Sequence, residues 1–370
     1  MTLTSELTID LDAIAANWRA LDRLAGPAET AAVVKGDAYG LGAAAVAPVL
    51  SKAGARRFFV AQPGEGAALR AILGAGPEIC VLAGFPVAGE ARSEARQALP
   101  PTHSAPAGPP PHPEAALFAE SDLVPVLNAP EQVAAWRAAG GGRHVLQLDT
   151  GMNRLGLEAS ELAALGLAAD CALVMSHLAC ADLPGHPQTP AQLAAFRAMA
   201  AAHAVPLSLA ATGGILLGEA YRFDLVRPGV GLYGGLPFEA AEPVVTLALP
   251  ILQVRDVAPG ETVGYGATWT ATRPSRIATL SGGYADGLLR ALSGRGRAWV
   301  GEVACPFAGR VSMDLIGLDV TEAPGARVGS MAEILGPRQG VDVLAEAAGT
   351  IGYEILTSLG ARYVRRYRGG

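Results

Sequence analysis

Eight short apolar runs alternate with alanine-rich stretches of helical periodicity between residues 31 and 226 of this chain. A short apolar run followed by a loop and a helix is typical of a parallel β/α unit. Eight such units favour an α/β fold with a closed (β/α)8 barrel of the TIM type. An open doubly wound sheet is the alternative, although no Gly-x-Gly-x-x-Gly segment follows the first run. The predicted strands are residues 31–35, 57–61, 79–82, 124–126, 144–148, 172–176, 206–210 and 224–226.

The pattern changes beyond about residue 240, where short apolar runs lie close together and are separated by Gly and Pro turns. No long helix is predicted before residues 341–348. Closely spaced strands joined by turns indicate a mainly antiparallel β domain. We therefore predict a barrel domain over residues 10–238 and a C-terminal β domain over residues 239–370.

Composition excludes several classes of protein. The formal net charge is −6, and the only basic cluster, Arg365-Arg-Tyr-Arg368, lies at the C-terminal end, so neither nucleic acid nor an anionic membrane is an expected partner. No apolar run reaches the roughly 20 residues that span a bilayer, and no basic and apolar leader opens the chain. The four cysteines show no paired spacing, which argues against a disulfide framework or a metal site. We expect a cytoplasmic protein.

A proline-rich segment lies between the third and fourth predicted strands, at residues 98–113. So much proline excludes a helix or a central strand and predicts an exposed, extended excursion. A surface insertion is favoured over a contact with a partner, and its role stays open.

Lysine is nearly absent from the chain, since only Lys35 and Lys52 stand among 28 basic residues. Arginine stays protonated at ordinary pH, whereas a desolvated lysine can lose its proton and become a nucleophilic amine. Lys35 follows the first predicted strand, where barrels place their catalytic groups. Lys52 lies near the polar end of a helical pattern and is interpreted as a surface residue.

Other polar residues follow later strands at the same end of the predicted barrel. These strand ends converge on one face, so their side chains are expected to form one pocket. Glycine-rich loops with a hydroxyl after the seventh and eighth strands favour an anion or phosphate site. A lysine, a phosphate site and an arginine together suit pyridoxal 5′-phosphate, whose aldehyde bonds to a lysine. The residues concerned are Lys35, Asp149, Arg154, His177, Thr212, Arg227, Gly229 and Gly231.

Six segments, found in order, resemble those of the alanine racemases, pyridoxal-phosphate enzymes of fold type III. The resemblance covers nearly the whole chain. It implies that an N-terminal strand within residues 1–9 joins the β domain. It also implies a head-to-tail homodimer in which the partner's β domain closes each barrel mouth. The segments are Ala-Val-Val-Lys-Gly-Asp-Ala-Tyr-Gly at 32–40, Asp-Thr-Gly-Met-Asn-Arg-Leu-Gly at 149–156, Val-Arg-Pro-Gly at 226–229, Gly-Tyr-Gly-Ala-Thr-Trp at 264–269, Gly-Tyr-Ala-Asp-Gly at 283–287 and Gly-Arg-Val-Ser-Met-Asp at 309–314.

The resemblance also implies a role for each matching residue. Lys35 would bind the cofactor covalently and act as one acid/base, with Tyr265 of the partner subunit as the second. Arg227 would meet the pyridine nitrogen, and Arg154 the cofactor phenolate and the substrate carboxylate. His177 would hydrogen-bond near Tyr265 and Arg227. Tyr39, Thr212, Gly229 and Tyr353 would contact the phosphate, Met313 the substrate carboxylate, and Asp182, Tyr284, Arg290, Arg310 and Asp314 would support the site entrance.

Two positions depart from the family pattern. Relatives often have a lysine, frequently carbamylated, seven residues before the arginine of Asp-Thr-Gly-Met-x-Arg, where this chain has Gln147. We expect a bound halide or direct hydrogen bonding by the amide to replace it. Ala211-Thr212 stands where Asn-Ser is common, so the phosphate-binding hydroxyl is kept and the asparagine contacts are lost.

The implied reaction is interconversion of L- and D-alanine by two-base proton transfer on a cofactor adduct, for peptidoglycan supply or alanine catabolism. Removing the α-proton from one face and returning one to the other requires two bases. Alternatives are a broad-specificity or serine racemase, and less favoured a decarboxylase of the same fold type or a non-catalytic pyridoxal-phosphate carrier. The decarboxylase pattern calls for a reactive cysteine where Ser312 stands, and the carrier would lack the second domain.

Overall fold

A computed structural model of the chain describes residues 4–87, 114–201 and 203–370. The proline-rich segment at 98–113 lies outside these described residues. The chain forms two compact units, each described here by itself. The barrel unit comprises Asp22–Lys35 and Gly54–Pro228, and the β unit comprises the residues up to Leu21, Gly36–Ala53 and Gly229–Gly370. The predicted domain boundaries at residues 9/10 and 238/239 stay a prediction.

The described chain begins with strand β1 (Glu6–Asp10), which leads directly into helix α1 (Leu11–Ala25). The Asp10 carboxylate accepts a hydrogen bond from the backbone N–H of Ala13 at 3.0 Å, so Asp10 caps the helix. Gly26, with φ +69°, follows the last helical residue.

The barrel unit contains a ring of parallel strands. Seven strands pair in the order β3 to β9, and β10 pairs in parallel with β2, which precedes β3 in the chain. A parallel bridge between Ala211 and Arg227 joins the ends of β9 and β10 and completes the ring. The strands are β2 (Glu29–Thr30), β3 (Ala32–Val33), β4 (Arg57–Val60), β5 (Glu78–Val81), β6 (Leu123–Leu127), β7 (His144–Gln147), β8 (Cys171–Met175), β9 (Leu207–Ser208) and β10 (Leu225–Val226).

These strands confirm the (β/α)8 prediction. The segments β2 and β3 together stand at the first predicted strand, and β4 to β10 each lie within two residues of the predicted bounds. Their side chains are buried on both faces, as in Phe58 and Phe59 of β4. Each strand faces the barrel interior on one side and the layer of helices on the other, and both exclude water. A strand in this position is therefore a continuous apolar run. Helix α2 (Ala43–Ala53) belongs to the β unit, and the helices of the barrel unit are α3 (Pro63–Leu73), α4 (Ala115–Glu120), α5 (Pro130–Ala138), α6 (Ala159–Leu165), α7 (Gln188–Ala200) and α8 (Thr212–Leu216).

The β unit has a mostly antiparallel sheet around one long strand, which confirms the second part of the fold prediction. That strand, β11 (Val245–Val257), pairs with β1 and β18 in its first half and with β14 in its second, with a register shift between Ile251 and Gln253. Strand β1 also pairs in parallel with β19. The remaining elements are β12 (Thr262–Val263), β13 (Trp269–Thr270), β14 (Ser275–Ser281), β15 (Arg297–Val300), β16 (Val303–Pro306), β17 (Leu315–Asp319), β18 (Met331–Leu335), α9 (Val341–Ala348), α10 (Gly352–Ser358) and β19 (Val364–Arg368).

Candidate active site

Lys35 stands where the first long apolar run of the barrel unit ends. The N–H of Val34 still donates to the carbonyl of Phe59 on β4, at 2.9 Å, and Lys35 is the next residue. The chain then makes a left-handed turn in which Asp37, Ala38 and Tyr39 all have φ near +55°. A left-handed conformation costs an L-residue roughly 1–2 kcal/mol, and such strained backbone clusters at functional sites.

Local hydrogen bonds hold this turn. The Gly40 N–H donates to the Gly36 carbonyl at 2.7 Å, and the Ala43 N–H donates to the Asp37 carboxylate at 2.7 Å. Gly40 also has a positive φ, and a Cβ there would lie 2.7 Å from the carbonyl oxygen of Leu356. The Gly-Asp-Ala-Tyr-Gly sequence after the lysine therefore encodes a specific backbone path.

The environment of Lys35 favours the neutral amine. Desolvation, and secondly the nearby Arg154 guanidinium, lower the pKa of Lys35 below its ordinary value, while Glu65 opposes them with a smaller effect. The residue nevertheless has solvent-exposed surface. A lysine that is accessible and easily deprotonated is suited to bond to an aldehyde.

Arg154 lies in a loop after β7 that is shaped by Asp149. The Asp149 carboxylate accepts hydrogen bonds from the N–H groups of Gly151, Met152 and Asn153, at 2.8, 2.9 and 3.1 Å. Asp149 therefore organises the turn, and the exposed Arg154 is presented beyond it.

Arg227, at the end of β10, is 4% exposed and points into the interior of the barrel unit. Its Nη2 donates to the Ser176 carbonyl at 2.6 Å, and its Nη1 donates to the Ser208 hydroxyl. Burial lowers the pKa of Arg227 to about 10, so the guanidinium stays protonated at neutral pH. Among the described residues, no direct hydrogen bond joins Arg227 to His177.

His177, in the loop after β8, is neutral at physiological pH. Burial, and then Arg227, Arg154 and Lys35 in decreasing order, together lower its pKa to about 3. The structure thus brings four residues predicted from strand ends, Lys35, Arg154, His177 and Arg227, into one electrostatic cluster.

The cluster has an excess of positive charge. Within the chain as far as it is described, no carboxylate forms an ion pair with Lys35, Arg154 or Arg227; the eleven pairs found lie elsewhere. In this described part of the chain, the two guanidinium groups of Arg154 and Arg227 therefore fit an anionic ligand. Thr212, which is 2% exposed, follows Ala211, the residue that bridges to Arg227. The remaining predicted residue of this unit, Asp182, is exposed.

The β unit contains the predicted tyrosines and the glycine of the phosphate site. The rings of Tyr39 and Tyr353 lie 5.9 Å apart, and Tyr39 also packs on Tyr233 at 4.6 Å. Burial, and secondly Tyr353, raise the pKa of Tyr39, so its phenol remains a hydrogen-bond donor. Gly229 is buried and precedes a short 3-10 turn, Val230–Tyr233.

Tyr265, which is predicted to serve the partner's site, lies on an exposed loop of the β unit, as do the predicted substrate and entrance residues of this unit. The ring of Tyr265 is 74% exposed, and Met313 is 53% exposed. The turn bearing Tyr265 contacts Arg310, whose Nη1 lies 3.0 Å from where a Cβ of Gly266 would stand. Tyr284, Arg290 and Asp314 are exposed as well.

Gln147, the departure from the lysine pattern, is buried and uses its amide directly. Its Nε2 donates to the carbonyl of Leu155, the residue after Arg154, at 3.1 Å. The amide therefore holds the backbone next to Arg154. The halide alternative stays a prediction.

Several polar residues of the site were missed from sequence. Ser176, Ser208 and Gln192 hydrogen-bond to the loops or side chains described above, and Arg362 bridges two aspartates below Met313. Of these residues, only Gln192 could have been found from sequence. It is spaced with Thr189 and Phe196 along one face of α7, and that spacing indicates a buried position.

These residues fit pyridoxal 5′-phosphate. The cofactor needs a lysine amine, an arrangement of cations and hydroxyls for its phosphate, and a group for its ring nitrogen. The amine of Lys35 fits the first of these requirements, and the buried guanidinium of Arg227 is suited to the ring nitrogen. The buried hydroxyl of Thr212 would be a donor to the phosphate.

Comparisons with known proteins agree with this chemistry. Residues 9–237 match the alanine racemase N-terminal domain and residues 244–367 match the C-terminal domain. Alanine racemases of Cereibacter sphaeroides and Jannaschia sp. are 55% and 54% identical over 98% of each chain. The crystal structure of alanine racemase from Bartonella henselae, with covalently bound pyridoxal phosphate, has a TM-score of 0.88 and 37% identity over 99% of each chain. The biosynthetic alanine racemase of Pseudomonas aeruginosa has a TM-score of 0.87 and 36% identity over 99% of each chain. This chain belongs to the alanine racemase family.

Proposed function

We propose that this protein interconverts L-alanine and D-alanine as a cytoplasmic homodimer with shared active sites. The observation that carries the proposal is the state of Lys35, an accessible amine with a lowered pKa beside Arg154 and a neutral His177. When bound, pyridoxal 5′-phosphate supplies the electron sink that makes the α-hydrogen of an attached amino acid acidic. The residues of the chain then have to bind, orient and move protons.

Lys35 holds the cofactor and moves a proton at its Nζ on one face of the substrate. Tyr265 of the partner subunit moves a proton at its phenolic oxygen on the opposite face, because racemisation requires two opposed bases. The high exposure of Tyr265 supports this role, since a ring left 74% exposed on one chain is available to complete a neighbour's site.

The other site residues bind and orient. Arg154 and Met313 meet the substrate carboxylate, and Arg227 meets the ring nitrogen. Thr212, Tyr39, Gly229 and Tyr353 contact the phosphate. The absence of a carboxylate pair to Arg154 in the described part of the chain supports its role as an anion-binding group.

The test is a racemase assay of the purified holoenzyme with L-alanine, L-serine and larger L-amino acids. We expect alanine to give the highest kcat/KM. Serine racemised as well as alanine would instead indicate a broad-specificity enzyme. Release of carbon dioxide without racemisation, or no turnover at all, would contradict the proposal.

A further inference from the structure

The N-terminal part of α7 touches two loops of the barrel unit through three side chains. Gln188 donates from its Nε2 to the Gly151 carbonyl at 2.6 Å, and Thr189 donates from its hydroxyl to the Cys180 carbonyl at 3.1 Å. Gly151 belongs to the loop with Arg154, and Cys180 to the loop with His177. One helix therefore spans the two loops that present these residues.

Gln192 makes the most central of these contacts. Its side chain is 1% exposed, and its Oε1 accepts a hydrogen bond from the Ala179 N–H at 2.8 Å. Its Nε2 donates to the His177 carbonyl at 2.9 Å and to the Thr150 hydroxyl at 3.3 Å. The amide of Gln192 thus forms hydrogen bonds through both its oxygen and its nitrogen. These bonds hold the backbone on both sides of Leu178 and, through Thr150, the start of the loop with Arg154.

The network continues from Thr150 to Arg227. The Thr150 hydroxyl lies 2.8 Å from the Ser176 hydroxyl, which donates to the Leu148 carbonyl at 2.8 Å. The Ser176 carbonyl in turn accepts from Arg227. Every side chain along this path, Gln192, Thr150, Ser176 and Arg227, is more than nine-tenths buried. Buried polar networks that are fully hydrogen-bonded fix a single geometry.

We propose that Gln192 is a positioning residue that sets the separation of the loops bearing Arg154 and His177, and so determines how tightly the site binds cofactor and alanine. The inference rests on the proposed function, because it takes Arg154 and His177 as binding groups. Gln192 acts through these residues. Lys35 follows β3 and has no hydrogen bond to this network in the described residues, so proton transfer at Lys35 depends on the network less than binding does.

The first variant is Gln192→Met, which keeps the length of the side chain and removes its hydrogen bonds. The KM for alanine and the dissociation constant of the cofactor, measured by titrating the apoprotein, should each rise about tenfold, because buried partners of the lost amide remain unsatisfied. The kcat should change less, by about threefold at most. The visible absorption of the bound cofactor should respond to pH differently from wild type.

A second pair of variants tests the link through Thr150. Thr150→Val keeps the shape and removes the hydroxyl, whereas Thr150→Ser keeps the hydroxyl. We expect the valine variant to weaken cofactor binding and the serine variant to restore it. Because the residues act as one network, the double variant Gln192→Met/Thr150→Val should be less impaired than the sum of its single changes.

The matched control is Gln339→Met in the β unit. Gln339 is 3% exposed and donates from its Nε2 to two carbonyls, of Arg297 and Ile334, so its loss removes comparable hydrogen bonds away from the cluster. It should lower thermal stability with unchanged KM and cofactor affinity. The inference is overturned if wild type racemises alanine while Gln192→Met binds cofactor and alanine as wild type does, or if Gln339→Met weakens both equally. A wild type without racemase activity would instead contradict the proposed function.

Discussion

Lys35 and Lys52 are the only lysines in the sequence, so a label fixed on a lysine can lie on one of two side chains. Borohydride reduction of the holoenzyme fixes the cofactor on the lysine that binds it. We predict that peptide mapping finds the label on Lys35, because its amine is desolvated beside Arg154. Lys52 belongs to α2 and should stay unlabelled.

The matched variants are Lys35→Arg and Lys52→Arg. The first should lose the label and the racemase activity, since a guanidinium does not deprotonate near neutral pH. The second should retain both. A label on Lys52 in the wild type would refute the assignment.

His177 should make the folded protein sensitive to acid. Its pKa is about 3 when folded and about 6.5 in an unfolded chain. Between these values the unfolded state binds a proton that the folded state does not, so the free energy of unfolding falls as the pH falls through this window. We predict that His177→Gln makes this fall shallower, measured by urea unfolding of the apoprotein at fixed concentration. Parallel curves for variant and wild type would contradict the prediction.

The titratable residues of the cluster could be predicted from sequence, and their supports could not. Lys35, Arg154, His177 and Arg227 each follow an apolar run, and the barrel rule places such residues at one face. Ser208 is a small polar residue within a strand, and nothing in its sequence position distinguishes a hydroxyl that binds Arg227 from one that binds backbone. Such partners are fixed by contacts between distant segments.

Backbone hydrogen bonds join two loops of the β unit, residues 282–285 and residues 312–314, around Met313. The N–H groups of Gly282, Tyr284 and Ala285 donate to the carbonyls of residues 314, 312 and 313, at 2.9, 3.0 and 3.0 Å. Gly283 is required at this approach, because a Cβ would lie 2.3 Å from the Ser312 carbonyl oxygen.

Arg362 holds these two loops together through their aspartates. Its Nε and Nη2 bind the buried Asp286 carboxylate at 2.6 and 2.8 Å, and its Nη1 binds Asp314 at 2.7 Å. Asp286 also accepts from the Gly283 N–H at 2.9 Å. Both carboxylates raise the pKa of Arg362. The position of Met313 therefore depends on this arginine.

Replacing Arg362 with Gln should raise the KM for alanine roughly fivefold, because a buried carboxylate loses its partner and the Met313 loop loosens. Arg366→Gln is the control, since Arg366 pairs with Glu6 at 3.0 Å on the surface and surface pairs contribute little. The measurement is the KM for alanine of both variants, taken from steady-state kinetics. Equal KM values for Arg362→Gln and wild type would contradict the role given to Arg362.

At the scale of elements, apolar periodicity predicted the barrel strands and α9 closely, because each is fixed by its own pattern of burial. The sharing of β11 between β18 and β14 was not predictable. It depends on the register shift after Ile251, where one strand changes neighbours. A β-bulge of this kind is set by packing between strands far apart in sequence.

For the molecule as a whole, the described part of the chain has no helix long and apolar enough to cross a membrane. Its exposed aromatic and apolar side chains include Tyr265, Tyr284 and Met313 on the loops of the β unit. Contiguous exposed apolar patches mark interaction surfaces. We interpret this surface as the part of the chain that completes the site of a second copy.

Mixing two inactive variants tests the shared site most directly. Lys35→Ala and Tyr265→Phe should each lose racemase activity as homodimers. After unfolding and refolding of an equal mixture, a mixed dimer has one site with both Lys35 and Tyr265 of the partner subunit intact. The account predicts recovery of about a quarter of wild-type activity, since half of the dimers are mixed and each has one intact site of two. Recovery of no activity, with mixed dimers shown to form, would contradict it.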